Sequence, residues 1–409
     1  MRRQRGAARA ETRSSKDESN HLHVFHTPVF YTVLFPVSNA CRCDKILPMK
    51  RVMIATGGTG GHIYPALALA DTIRKNCPEC EIRFFGSDNR MEAQVIPAAG
   101  YAFAGMTMSG MNGGILAKVK SLISLQKAER SCRKMLKEFQ PEVCIGFGNY
   151  ISVPLIRAAH KLGIPTMISE QNSSAGKANL YLSRIADAIE AVYPSSLKEF
   201  PEGKTRLYGN PEASAAAAAP GKPELLKEYG LEPGIPMVVC MMGSLGSSSV
   251  SEVLDQACAK FDDSFQVLIA AGKSNDYTFR SQGKRIHILP YIDGRAMLKE
   301  ADLAITRAGA TTLAEISAIG TAAILIPSPY VPNNHQVHNA EELVRHHAAV
   351  MIEEKDLNAD VLASTVNRLM KNQEERQNLA ANAKAMGTPD AAEKMYEWVK
   401  ELADHGNNA

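Results

Sequence analysis

From Arg51 onward the chain repeats one unit, an apolar run of four to six residues followed by a segment of helical length. The first series reads "RVMIAT", "EIRFFG", "EVCIGF" and "TMIS"; the second reads "MVVCMM", "FQVLIA", "RIHIL", "DLAIT" and "AAILI". Strands this short, alternating with helices, argue for parallel sheets joined by right-handed crossovers. Between the two series lies "YGNPEASAAAAAPGKPELLKEYGLEPGIP", rich in Pro, Gly and Ala. It reads as a linker and the first helix of a second domain. A chain of 409 residues is too long for one ordinary core and fits two. The expected architecture is α/β: two doubly wound parallel-sheet domains, residues 49–208 and 209–388, facing one another across a cleft. Ligands then bind at the carboxyl ends of the strands.

Composition removes several function classes. Apolar residues make up 45% and charged residues 22%, the profile of a water-soluble globular protein. A net charge of +3 and a single Trp leave neither a phosphate-binding field nor a base-stacking platform for nucleic acid. The eight cysteines are scattered, as suits a reducing compartment. "CPEC" at 77–80 has ligand-like spacing, but no second pair or His cluster completes a metal site beside it. Residues 1–48 differ in character from the rest of the chain. A polar start, "MRRQRGAARAETRSSKDESN", precedes an apolar run broken by His and Pro. That run is too short for a transmembrane helix and only faintly resembles a signal peptide. The expectation is an upstream extension outside the fold, with the first strand starting directly after Met49.

Two stretches carry chemistry. The first, "IATGGTGGHIYPALALA", places four glycines within five positions between a buried strand and a helix expected to start near Pro65. Glycine lets backbone N–H groups approach a ligand, and a helix N-terminus adds positive potential. Gly57, Gly58, Gly60 and Gly61 are thus structural in role and functional in consequence. The pattern is neither the dinucleotide fingerprint nor a Walker loop, since no Gly-Lys-Ser/Thr follows. His62 tips this loop, which makes it a candidate general base; a helix-capping or packing role is the alternative.

The second, "TRAGATTLAEISAIGTAAILIPSPYVPNNHQVHNA", spans residues 306–340. A strand ends at a turn holding Arg307 and Gly309, and a helix beginning about Thr311 offers its N-terminus to a diphosphate. Glu315, one turn on, can accept two hydrogen bonds from a ribose diol, or can simply be favoured by the helix dipole. Further on, "NNHQ" sets amides and an imidazole on a loop, a cluster suited to sugar hydroxyls or merely to solvent.

The motifs "GGTGGHIYPALALA", "MSGMNG", "SEQNSSAGKAN", "YGNP", "TRAGATTLAEISAIG" and "HQVHNA" follow in the order of one enzyme family. From about residue 50 to the C-terminus the chain resembles the MurG family, the N-acetylglucosaminyltransferases of bacterial peptidoglycan synthesis. The resemblance implies the GT-B fold, two Rossmann-like domains with a C-terminal helix, about 389–404, returning to the first. It implies transfer of N-acetylglucosamine from UDP-N-acetylglucosamine to the muramyl O4 of an undecaprenyl-diphosphate-linked muramyl pentapeptide, with inversion. The enzyme would work as a peripheral protein on the cytoplasmic face of the cell membrane.

Carried onto this sequence, the resemblance makes Glu315 the ribose ligand and turns Ala310, Thr311 and Thr312 toward the diphosphate. The backbone of Ile292 reads the uracil edge, and Gln336, with His335 beside it, reads sugar hydroxyls. Ser244 and Gly246 lie in the second glycine loop. From the first domain Thr59, Gly60, Gly61, His62 and Asn172 face the donor sugar and the acceptor, with His62 as the base. Several positions depart from the family pattern. Asn149 in "GFGNY" stands where glycine is usual, Ser169 replaces the His before Glu-Gln-Asn, and "MGSLGS" forms the second loop. Glu212 and Ala213 follow Gly-Asn-Pro where the family carries an arginine toward the diphosphate. The missing charge is expected from Arg307, at the turn feeding the helix, or from Lys273 in "AAGKSN".

No Asp-x-Asp motif follows Met49, so helix N-termini and side-chain donors, with no tightly bound cofactor or metal, are expected to carry the leaving-group charge. The segment 113–138 interleaves Ile115, Leu116, Val119, Leu122 and Ile123 with Lys118, Lys120, Lys127, Arg130, Arg133 and Lys134. It suits an anionic bilayer face, or a core-packing helix with a solvated charged side. Sequence alone leaves two other functions open. One is a glycolipid-forming transferase of the same fold. The other is a non-catalytic nucleotide-sugar binder or epimerase of this architecture, although an epimerase would not need the "GGTGGH" and "EQN" stretches.

Overall fold

Two parallel sheets divide the chain, and both follow one winding order. The computed structural model describes residues 49–407 except 109–114, 244–246, 273–276, 282 and 284. The extension 1–48, most of "MSGMNG", Ser244, Gly246 and Lys273 therefore lie outside the described residues. The first sheet holds β1 (Arg51–Ala55), β2 (Glu81–Gly86), β3 (Ala102–Gly105), β4 (Val143–Phe147), β5 (Thr166–Glu170), β6 (Ala188–Ala191) and β7 (Thr205–Leu207). Their spatial order is β3-β2-β1-β4-β5-β6-β7. The second holds β8 (Met237–Met241), β9 (Gln266–Ala270), β10 (Ile286–Leu289), β11 (Leu303–Thr306), β12 (Ala323–Leu325) and β13 (Val350–Met351), in the order β10-β9-β8-β11-β12-β13. Every pairing between these strands is parallel.

Each sheet reverses direction beside its first strand, between β1 and β4 and between β8 and β11. Such a switch point opens a crevice at the carboxyl ends of the strands. The central strands are buried on both faces, which is why they read as continuous apolar runs. In β1, Val52 and Ile54 pack with Ile63 and Leu69, while Met53 and Ala55 pack with Leu155 and Ile156 on the other side. In β8, Val238 and Cys240 face one layer, and Met237 and Val239 the other.

The chain passes between the sheets at Gly209–Asn210. Helix Pro211–Ala218 follows, with Pro211 in its first turn and Asn210 Oδ1 accepting from the Glu212 backbone N–H at 3.0 Å, a side-chain cap. This helix touches Gly60–Asn76, Ala310–Ile319 and Ala391–Asn407, so it is wedged among elements of both halves. The chain then returns, since Met395, Trp398 and Val399 of the Ala391–Asn407 helix share a core with Val52, Ile63 and Leu69. The returning passage runs against the outward one. Gly209 has φ +90°, and a β-carbon there would overlap the Thr388 side chain.

Helix Ile115–Phe139 buries Ala128, Cys132, Leu136 and Phe139 in the first half's core. Glu129 turns inward and holds Arg133, Arg157 and Lys161 at 2.8, 2.9 and 2.6 Å. Lys127, Arg130, Lys134 and Lys137 stay in solvent, and Ile123 is exposed beside them. No described helix is long and apolar enough to cross a membrane. Cys77 and Cys80 are free thiols buried in the core, with Cys77 Sγ donating to the Met49 carbonyl at 3.1 Å.

Candidate active site at the two switch points

The loop after β1 supplies the first half of the site. Gly57 and Gly58 have φ values of +153° and +86°, and their backbone is braced from beneath by the buried Glu92 carboxylate. Glu92 accepts from the N–H groups of Gly58 and Ser87 at 3.0 Å each. A β-carbon on Gly57 would overlap that carboxylate, so glycine is required. Thr59 takes the extended N-cap conformation and the helix runs Gly60–Asn76, which starts it before Pro65. His62 consequently sits in the first helical turn, not on the loop.

The other side of the first switch point, after β4, closes on His62. Gly148 has φ +61°, and a β-carbon there would lie 2.8 Å from His62 Cε1. Asn149, where the resemblance led glycine to be expected, takes the left-handed conformation at φ 42°. Asn tolerates that region because its side chain can bond locally. Here it accepts from Ile151 N at 2.8 Å and donates to the Gly57 carbonyl, tying the two loops together.

His62 Nδ1 lies 3.1 Å from Gln171 Oε1. Gln171 Nε2 reaches the Ser169 carbonyl at 3.1 Å and Ser169 Oγ at 2.7 Å, and Ser169 Oγ donates to Glu190 Oε2 at 2.5 Å. Burial pushes the His62 imidazole down from 6.5 to about 4, which leaves the ring neutral at physiological pH. Burial pushes the Glu190 carboxyl the other way, up to about 8. Neighbouring Glu170 gathers the loop beyond β5, accepting from Asn172 N and Nδ2 at 3.1 Å and from Gly176 N and Asn179 Nδ2 at 2.9 Å.

The second half of the site comes from the loop after β11. Gly309 is the extended N-cap of helix Ala310–Ile319, so Ala310, Thr311 and Thr312 form its first turn. The two helix starts approach one another: a β-carbon on Gly61 would lie 3.9 Å from Thr311 Oγ1. That hydroxyl is buried and bonds nothing. Unsatisfied backbone N–H groups and dipole ends at both helices make this a place for negative charge.

Glu315 lies beyond the first turn, so the helix dipole alone does not explain it. Its Oε1 accepts from Arg295 Nε at 2.9 Å, and the same guanidinium contacts buried Glu212 through Nη2. Burial raises the Glu315 carboxyl and Arg295 pulls it back down. Arg307 is otherwise engaged: Nη1 bonds Glu354 at 2.8 Å and the Ile326 carbonyl at 3.1 Å, and Nη2 bonds Ser247 Oγ at 2.7 Å. These bonds brace the turn. His335 and Gln336 begin helix His335–Arg345, and the asparagines of "NNHQ" belong to the short 3-10 turn Pro332–Asn334 before it, so no part of the motif is open loop. Asn333 and Asn334, at φ 54° and 53°, make the sharp entry. Gln336 Oε1 accepts from Ser328 N at 2.8 Å, and His335 is near enough to His62 for its charge to oppose protonation there. Ile292 turns its side chain into the core. Asn172 meets the second half directly through Asn339 Nδ2 at 3.3 Å, and Asn339 Oδ1 accepts from Ser173 N at 2.9 Å.

The N-terminal domain of glycosyltransferase family 28 matches residues 52–190 and its C-terminal domain matches 237–395. The UDP-N-acetylglucosamine--N-acetylmuramyl-(pentapeptide) pyrophosphoryl-undecaprenol N-acetylglucosamine transferase of Limosilactobacillus fermentum is 37% identical over 87% of this chain and 99% of its own. The chain belongs to this family. The enzyme of the same name from Bacillus cytotoxicus is also 37% identical, over 86% of this chain and 99% of its own. Among solved structures, Acinetobacter baumannii MurG matches with TM-score 0.69 at 26% identity, over 86% of this chain and 99% of that one. A UDP-N-acetylglucosamine 2-epimerase, at 12% identity and TM-score 0.61 over 88% and 97%, shares the fold alone. The two halves are thus the paired Rossmann-like domains of the GT-B fold.

In this family 28 glycosyltransferase the structure brings together Thr59, Gly60, Gly61, His62, Thr311 and His335 around the two helix starts, with Glu315 farther along the second helix beside Arg295. It also adds residues that sequence reasoning missed. Gln171 and Asn339 stand inside recognisable motifs, and their amides were the available signal. Arg295 and Glu190 carry no local signal, because their partners are distant in sequence.

Proposed function

We propose that this glycosyltransferase moves N-acetylglucosamine from UDP-N-acetylglucosamine to O4 of the muramyl residue of undecaprenyl-diphosphate-linked muramyl pentapeptide, with inversion. One observation carries the reading: a neutral imidazole from one switch point stands opposite a helix start with an unsatisfied hydroxyl at the other. The 37% identity to enzymes named for this transfer gives the substrates. His62 takes the O4 proton as the oxygen attacks C1 and the C1–O bond to the diphosphate breaks through an oxocarbenium-like state. The N–H groups of Ala310, Thr311 and Thr312 meet the charge that develops on UDP. Glu315 accepts from the ribose diol, the Ile292 backbone reads the uracil edge, and His335 and Gln336 read sugar hydroxyls. Thr59, Gly60, Gly61 and Asn172 line the acceptor side.

The acceptor carries a lipid, so the enzyme works against the cytoplasmic face of the membrane without spanning it. Exposed Ile123 with Lys127, Arg130 and Lys134 on the Ile115–Phe139 helix supports that contact. The test is transfer of labelled N-acetylglucosamine from its UDP ester to the lipid-linked muramyl pentapeptide, with diacylglycerol as the competing acceptor. Label in the muramyl lipid supports the assignment. Label in diacylglycerol, or UDP binding with no transfer, overturns it.

A further inference from the structure

The hydrogen bonds leading away from His62 have only one consistent direction. The Ser169 carbonyl can only accept, and Asn179 Nδ2 already donates to it at 2.9 Å. Gln171 must therefore present its NH2 group to Ser169, which leaves Oε1 facing His62 Nδ1 at 3.1 Å. An amide oxygen also only accepts, so the proton of a neutral His62 must sit on Nδ1. Ser169 Oγ, receiving a bond from Gln171 at 2.7 Å, sends its own proton to Glu190 Oε2 at 2.5 Å. Ser169, Gln171 and Glu190 are all buried, so water is not there to substitute for a missing partner.

We propose that Gln171, backed by Ser169 and Glu190, is a positioning residue that holds His62 as its Nδ1–H tautomer, with the lone pair on Nε2 as the base. The inference rests on His62 being the base and adds what fixes that base's orientation. The opposite tautomer would put a lone pair against the Gln171 oxygen and its proton on the nitrogen that must receive one. Gly148 leaves room for this pair, because a β-carbon there would lie 2.8 Å from His62 Cε1 and 3.1 Å from Gln171 Oε1. With Glu190 protonated at neutral pH, the far end of the chain holds no buried anion to draw a proton onto the ring.

Two measurements on the full chain test this, the first independently of the reaction assigned above. Long-range 1H–15N NMR with 15N-histidine, His62 being identified by its loss in His62→Gln, reports the tautomer directly. The expected result is Nδ1–H in the wild type and a mixture in Gln171→Met. A wild-type ring protonated at Nε2 overturns the proposal whatever the protein's substrate. In the second measurement, Gln171→Met lowers kcat by about tenfold to a hundredfold while KM for UDP-N-acetylglucosamine stays within about twofold. Gln171→Glu keeps an acceptor at Nδ1, recovers most of kcat and moves the acidic limb of the kcat profile to higher pH, since a carboxylate there favours the imidazolium. Equal losses in both variants with the acidic limb unmoved also overturn it.

Discussion

Arg295 Nε donates to Glu315 Oε1 at 2.9 Å, and the other arm of the same guanidinium meets Glu212, the residue that follows Gly-Asn-Pro. The chain thus has an arginine, supplied by a different element, beside the position where the family resemblance led one to be expected. It answers two carboxylates, one of them assigned here to the ribose.

Removing that guanidinium unbinds Glu315 as well as Glu212. Arg295→Met is expected to weaken UDP binding by about 1.5–3 kcal/mol, the range for a hydrogen bond to a charged group. Glu315→Ala should cost a similar amount, and the double mutant less than the sum, because the two residues share one bond. Calorimetry with UDP measures all three. If Arg295→Met tightens UDP, the arginine competes with the ribose for Glu315.

Arg307 and Ala213 answer to stability more than to affinity. The Arg307–Glu354 pair is nearly enclosed, at 11% and 13% side-chain exposure, so Arg307→Ala leaves a largely enclosed carboxylate without its counter-charge, Ser249 Oγ still donating to it. The expected loss is about 3–5 kcal/mol by urea unfolding. Ala213 is fully buried in the crossing helix, so Ala213→Arg overpacks it at about 1–3 kcal/mol or more and does not tighten UDP. Unchanged urea midpoints in both variants would refute this account.

His62→Ala should lower kcat by at least about a hundredfold with UDP affinity unchanged, as for loss of a general base. Collapse of donor binding with normal turnover at saturation would make His62 a binding residue.

Glu190 and His62 give stability opposite dependences on pH. Glu190 rises from 4.5 to about 8, so between those values the folded protein keeps a proton that the unfolded chain releases. Its contribution is full below pH 4.5 and is lost as pH rises through 8. His62 falls from 6.5 to about 4, so there the unfolded chain holds the extra proton. Its contribution is full above pH 6.5 and is lost as pH falls through 4. The two oppose each other between 4.5 and 6.5, and Glu190 alone of the pair acts from 6.5 to 8. The unfolding free energy from urea titration should fall across that upper range, by at most about 1.4 kcal/mol per pH unit, and Glu190→Gln should remove the fall. Parallel profiles for the two proteins would rule out the raised carboxyl.

Most of the strands that sequence revealed, among them β1, β4, β5, β8 and β11, are buried on both faces and therefore mainly apolar; β2 and edge strand β10 are not, and showed through their remaining apolar residues. Strands β3, β7 and β13 escaped because they are short and lie at or near sheet edges. "AIEA" of β6 hid behind a glutamate, whose bond to Ser169 becomes visible only once the two strands pair. The glycine loop was legible because positive φ demands particular residues. The helix start was misplaced, since proline marks where a helix can begin and here it began earlier. Arg295 was illegible because its two partners stand 83 positions before it and 20 after it in the chain, and no local pattern joins them.

Gly209 and Thr388 set the outward and returning passages of the chain side by side. A door hung on two neighbouring pins swings about one line and resists twisting about any other. A single pin would leave the second half free to turn about it. With two, the amides at the start of the Ala310–Ile319 helix are held opposite His62 by two passages of chain and not by one. Alignment of the reacting atoms is thereby built into the way the chain goes out and comes back.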